Sequence, residues 1–146
     1  MAVWKSTTIL IGTIAICLRP TCGHSFCFEE AARQYNLPPV LLMSIARHES
    51  NLQPDAVNRN SNSSYDFGVM QINSSWAKRL GSELWSQLGD PCTNIKVGAW
   101  ILRQCIDQYG YNWKAVGCYN SRTPGKNEVY ARRIAAQLTR LAKNQR

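Results

Sequence analysis

Two acids stand 17 positions apart in the segment HESNLQPDAVNRNSNSSYDFGVMQINSSW, which runs from His48 to Trp76. Glu49 closes an apolar run, and Asp66 lies in a polar stretch just before Gly68. A carboxyl placed among apolar side chains is harder to ionise, so its pKa rises and it keeps a proton near neutral pH. Cleavage of a glycosidic bond demands such a proton, because the leaving oxygen must be protonated as the bond breaks. A second carboxylate in polar surroundings stays ionised, and two such groups facing one cleft are the usual equipment of glycoside hydrolysis. The same residues allow a plainer arrangement, in which Arg47, His48 or Arg59 holds Glu49 in a structural ion pair. Perturbed carboxylates serve structure as well as catalysis, so spacing by itself leaves both readings open.

The placement of Glu49 depends on its helix. Pro38 and Pro39 fit the first helical turn, where a missing N–H costs little. Leu42, Ile45, Ala46 and Glu49 then fall at i, i+3, i+4 and i+7, which puts Glu49 on the buried stripe. Residues 50–67 are rich in Asn, Ser, Asp and Pro and read as a long ordered loop with room for a small β-ribbon. Asp90 and Pro91 make an N-cap and first-turn pair for the longest helix, whose apolar face is Ile95, Ala99, Leu102, Ile106 and Tyr109. Gly110 terminates it, and Asn112 is placed to cap WKAVGCYN. Residues 28–35 form a short opening helix, and Val129, Tyr130, Ile134, Leu138 and Leu141 mark a last amphipathic one. The expected class is all-α, or mostly α with a minor β element.

The chain has 146 residues, and Lys5 is the single charge ahead of an apolar run from Thr8 to Leu18. That run is too short to span a bilayer comfortably and has the dimensions of a secretory signal peptide. Gly23 and Ser25 supply the small residues for cleavage before Phe26; a cut at Gly23 and an uncleaved N-terminal anchor are the alternatives. Residues 1–25 are therefore assigned to the leader and 26–146 to one modest domain. Cys17 and Cys22 depart with the leader and lack the small-residue pattern of a lipid-modified cysteine, so no stable membrane anchor is expected after processing. Cys27, Cys92, Cys105 and Cys118 remain, and four cysteines in an exported chain read as two disulfides. No C-x-x-C pair occurs, and His24 and His48 lie far from most cysteines, so a metal site is not expected. Removing Lys5 and Arg19 lowers the net charge from +8 to +6, a balance that favours acidic partners. Nucleic acid is a poor candidate because no recognition motif is present, and an anionic wall polymer or membrane surface fits an exported protein better. The basic tail RRIAAQLTRLAKNQR is either part of such a surface or a merely solvated face.

Three ordered segments, HESN, DFGVMQIN and CYN, resemble the E-S, G-L-M-Q and A-Y-N signatures of the soluble lytic transglycosylases in the goose-type lysozyme superfamily. The similarity runs from about Cys27 to Ala142. Size, leader and single domain resemble the small specialised transglycosylases that accompany type III secretion, type IV secretion and conjugative pili. The resemblance implies a mostly α, lysozyme-like fold with two lobes around a glycan cleft. It implies Glu49 as the single catalytic acid and base, and Ser50 beside it as a sugar-contacting or supporting residue. Met70 and Gln71 match the cleft-lining pair, with Gly68 allowing close backbone approach. Tyr119 matches the tyrosine whose hydroxyl holds the glutamate, and Asn120 supports that segment. No metal or organic cofactor is implied.

The implied substrate is the peptidoglycan glycan strand, cut at the β-1,4 bond between N-acetylmuramic acid and N-acetylglucosamine. Glu49 would protonate the leaving oxygen and then take the proton of the muramyl 6-hydroxyl, giving a 1,6-anhydromuramyl end. The implied location is the periplasm, the task is local opening of the wall, and components of a secretion or pilus apparatus are the expected partners. A hydrolytic muramidase and a noncatalytic wall-binding subunit are the alternatives. Val69 stands where leucine is common, Cys118 where alanine precedes the tyrosine, and NSR where N-A-G is usual. Asp66 is absent from many transglycosylases, yet DFGVMQINS is also similar to a stretch of the animal c-type lysozymes, which carry an aspartate at the same spacing. In the transglycosylase reading, Asp66 steadies an oxocarbenium-like centre. Of the three pairings open to four cysteines, the expected one is Cys27–Cys92 and Cys105–Cys118. The first rests on a DPC context similar to that of small transglycosylases, and the second would join neighbouring helices across the Gly110 turn and brace Tyr119.

Overall fold

The computed structural model describes residues 26–144, and the expected leader at residues 1–25 lies outside them. Six helices and one small sheet follow in the order α1 (Phe28–Tyr35), α2 (Pro39–Ser50), β1 (Val57–Arg59), β2 (Tyr65–Phe67), β3 (Ile72–Asn73), α3 (Ala77–Ser86), α4 (Pro91–Tyr109), α5 (Trp113–Asn120) and α6 (Lys126–Asn144). A single 3-10 turn, Ser74–Trp76, joins the sheet to α3. The mostly helical class with a minor β element is therefore present.

Several boundaries follow from side chains that satisfy the orphan groups of helix ends. Asp90 accepts from the Thr93 N–H at 2.8 Å and starts α4 with Pro91 behind it. Asn112 accepts from the Ala115 N–H at 3.1 Å and starts α5. Gly110, at φ 78°, lets the chain leave α4 in a backbone region that side chains disfavour. Asn36 and Asn51 end α1 and α2 in the left-handed region, with each cap N–H returning to the last turn. Glu49 and Ser50 thus occupy the final turn of α2, at the edge of the sheet region.

α4 packs against α1, α2, α5 and β3, while α6 packs on α5 and α2. Leu42, Ile45 and Ala46 of α2 and Ile95, Ala99 and Leu102 of α4 are fully buried in one apolar core. Cys27–Cys92 fastens the start of α1 to the first turn of α4, with Cα atoms 5.3 Å apart. Cys105–Cys118 joins α4 to α5 at 5.8 Å, so the expected pairing is the one formed. Each link contributes about 2–4 kcal/mol to a domain of this size.

Three features differ from the sequence expectations. The last helix equals α4 in length, at 19 residues each. Val129 does not share the buried stripe of α6 and is 39% exposed, whereas Tyr130 and Ile134 are buried. The segment Ala77–Ser86, to which sequence pattern assigned nothing, is helical around a break at Gly81, where φ is 81° and ψ 161°. No helix among the described residues is long and apolar enough to cross a membrane.

Candidate active site

The polar loop after α2 folds into an antiparallel sheet of order β1-β2-β3. Its register sets Asp66 between Asn58 on one side and Asn73 on the other. Asn60 donates to Asp66 Oδ2 at 2.9 Å and Asn73 to Oδ1 at 2.7 Å, so both carboxylate oxygens receive an amide N–H. A cleft of about 790 Å³ separates this sheet from the helices and is lined by both Glu49 and Asp66. They are the two carboxylates among its lining residues, while Arg122 and Lys126 bring positive charge from the α5–α6 side.

Glu49 keeps a partly exposed surface at the cleft while its carboxyl is largely desolvated. Burial pushes its pKa up to about 7; a hydrogen bond from Tyr130 pulls it down, and the nearby charge of Asp66 pushes it up again. The Tyr130 hydroxyl donates to Glu49 Oε1 at 2.5 Å. Burial first, and the adjacent Glu49 second, raise the Tyr130 hydroxyl well above its usual range, so it remains a donor. The two ion pairs among the described residues are Lys96–Glu30 and Arg103–Asp107, and neither involves Glu49. The plain structural pairing is not what occupies this acid.

The turn 68–71 is clamped from three elements. Ser50 donates to the Val69 carbonyl at 2.8 Å, Tyr119 donates to the Met70 carbonyl at 2.8 Å, and Asn94 accepts from the Met70 N–H at 2.8 Å. Asn94, itself fully buried in α4, also donates to the carbonyls of Phe67 and Leu88. A side chain at Gly68 would run into it, since a Cβ there lies 2.2 Å from Asn94 Nδ2. The close backbone approach expected of Gly68 is therefore real, and Asn94 is what approaches.

Two residue assignments change in consequence, those of Tyr119 and Met70. Tyr119 does not hold Glu49; its hydroxyl is spent on the Met70 carbonyl, and Tyr130, stacked 6.4 Å from it, makes the bond to the acid. Met70 does not line the cleft: it is fully buried, packed where Gly98 has no Cβ. Ser50 supports the turn through its hydroxyl. Gln71 and Asn120 do line the cleft. Gln71, at φ 49°, is fixed by donating to the carbonyls of Ala56 and Gly68 and by accepting from Asn58 at 2.6 Å.

Tyr130, Asn60, Asn73 and Asn94 were not singled out from the sequence as site residues. Tyr130 reads as one more member of an apolar stripe, and the asparagines as loop or capping residues. Trp76 is a further addition: it lines the cleft and packs edge-on to Trp100 at 5.5 Å, with Arg79 over both rings.

The arrangement defines a class, a lysozyme-like domain with one buried acid facing a polar cleft and a hydrogen-bonded carboxylate. Residues 26–137 match the family described as "Transglycosylase SLT domain". The chain is 37% identical over 136 residues to Protein IpgF of Shigella flexneri, covering 88% of this chain and 90% of that protein. It is 40% identical over 115 residues to the Invasion protein IagB of Salmonella typhimurium, covering 77% and 72% respectively. Its fold is similar to that of the lytic transglycosylase Slt of Pseudomonas aeruginosa, solved as an inactive mutant, with a TM-score of 0.63 at 20% identity. That alignment covers 81% of this chain and 24% of Slt, so the chain spans about a quarter of that longer protein. The chain belongs to the transglycosylase SLT family and is a peptidoglycan lytic transglycosylase.

Proposed function

We propose that this is an exported enzyme, working in the periplasm, that cuts the β-1,4 bond between N-acetylmuramic acid and N-acetylglucosamine and leaves a 1,6-anhydromuramyl end. The observation that carries the reading is Glu49, held near half-protonation at neutral pH by burial and fixed in aim by Tyr130. An acid poised in this way can donate a proton to the leaving oxygen. The carboxylate then formed can accept the proton of the muramyl 6-hydroxyl, which attacks the anomeric carbon. The O–C bond to the leaving sugar breaks, the ring-closing O–C bond forms, and the proton is returned to Glu49, so no water is consumed.

Asp66 faces the same cleft and, with its oxygens held by Asn60 and Asn73, offers a fixed negative charge to an oxocarbenium-like centre. Trp76 offers a flat apolar surface for a sugar ring. Gln71 and Asn120 offer amide groups to the sugar's polar edges. Ser50 and Tyr119 act indirectly, by holding the turn that carries Gln71. A relative called an invasion protein supports a role in local opening of the wall for a secretion or pilus apparatus.

Purified peptidoglycan digested by the wild-type protein should give 1,6-anhydromuramyl ends in mass spectra, and Glu49→Gln should give no digestion while remaining folded. Hydrated reducing ends alone would replace this reading with a muramidase, in which Asp66 forms or supports the glycosyl intermediate. Undiminished digestion by Glu49→Gln would remove the acid from its assigned role.

A further inference from the structure

Beside the cleft lies a smaller cavity of about 360 Å³. Asn120 and Lys126 line both, so the two spaces adjoin. The rest of its wall is His48 from α2 and Gly125, Val129, Tyr130 and Arg133 from the α5–α6 side. None of these residues is an acid, and neither Lys126 nor Arg133 takes part in an ion pair among the described residues. The first turn of α6 opens onto the cavity, and the positive end of a 19-residue helix adds to those cations.

Tyr130 lines the smaller cavity and reaches from it to the acid of the cleft. Its ring meets the His48 ring edge-on at 5.3 Å, while its hydroxyl reaches Glu49. Burial, and then the charge of Arg133, push the His48 pKa down, so the imidazole is neutral at pH 7 and free to exchange hydrogen bonds. Such a lining selects an anion, and adjacency to the cleft selects one that the substrate itself carries. On a glycan strand only the muramyl residue meets that description, because its lactyl group bears a peptide with free carboxylates.

We propose that the cavity bounded by His48, Lys126 and Arg133 binds carboxylates of the peptide stem on the muramyl residue, so that the enzyme prefers peptide-bearing glycan to stripped glycan. The inference rests on the glycan-cleaving reading and names the part of the substrate that reading leaves open. Arg133 is an exposed residue outside the catalytic cleft, so its replacement alters the cavity without touching the acid or the sugar contacts.

Calorimetric titration of the full chain carrying Glu49→Gln, which leaves ligands uncut, compares the muramyl disaccharide with and without its tetrapeptide. The peptide-bearing form should bind about three- to tenfold more tightly, the range expected of partly solvated charge-assisted contacts. Adding Arg133→Gln should erase that difference while leaving the bare disaccharide and the melting temperature unchanged, and Arg133→Lys should keep most of it. Equal binding of the two ligands, including none, or a peptide preference that survives Arg133→Gln, would overturn the proposal. Persistent wall cleavage by Glu49→Gln would instead strike the assignment of the acid and leave the binding of peptide to Arg133 as measured.

Discussion

Glu49 sits between opposing neighbours, and their removal should move the pH profile in opposite directions. Tyr130 favours the carboxylate by hydrogen bonding to it, so Tyr130→Phe should carry the alkaline limb of kcat/KM, near pH 7 in the wild type, to higher pH. Asp66 disfavours the carboxylate by its charge, so Asp66→Asn should carry the limb to lower pH and lower the rate by about one to two powers of ten. Rates on purified wall across about pH 5–9 test both signs, and parallel shifts would contradict this account. The raised pKa also bears on stability. Between 4.5 and about 7 the folded protein holds a proton that the unfolded chain has released, so folding weakens as pH rises through that window. Glutamine has no proton to lose. Glu49→Gln should therefore gain on the wild type as pH rises, by up to about 3 kcal/mol above pH 7, as read by urea unfolding at several pH values. A difference independent of pH would show that Glu49 is not desolvated. This acid was legible in the sequence because an ionisable residue in an apolar stripe is conspicuous. Tyr130 was not, because a tyrosine beside Ile134 and Leu138 satisfies the same pattern whether its hydroxyl is idle or bound.

At the level of elements, the contact of α5 with α6 decides where Tyr130 stands. A Cβ on Gly117 would lie 2.3 Å from the Asn127 carbonyl oxygen, so the two helices meet through a missing side chain. Gly117→Ala should force them apart at a cost of about 1–3 kcal/mol and withdraw Tyr130 from Glu49. The expected result is a lower melting temperature together with activity that falls even where the variant is fully folded; wild-type activity at such temperatures would show that α6 tolerates the shift. Of the five helices that sequence pattern located, α2, α4 and α5 have proline or capping side chains at their starts, while α1 and α6 were marked by their apolar stripes. α3 escaped notice because Gly81 breaks its periodicity in the middle. The strands are two or three residues long, too short for alternation to register, and only the polar composition of the loop left room for them. The clamp on the turn 68–71 was half visible: Gly68 signalled a close approach, but Asn94 lies 26 positions away and nothing local marks it as the partner.

The whole molecule carries a net charge of +8, and the substrate surface of the proposed reading is acidic. Binding of the Glu49→Gln protein to purified wall should weaken several-fold between about 50 and 500 mM salt, because screening removes attraction between solvent-exposed charges first. Co-sedimentation measures it, and salt-independent binding would place the affinity in the cleft alone. Chain order adds a consequence of another kind. Glu49 and the Tyr130 hydroxyl that grips it are separated by 81 positions, with the acid in the second helix and the tyrosine in the last. A ribosome thus completes both carboxylates and the entire sheet long before it adds the residue that aims the acid. A nascent chain halted before Lys126 would hold Glu49 and Asp66 yet leave the acid without its donor, so the order of synthesis keeps an unfinished molecule from being a finished catalyst.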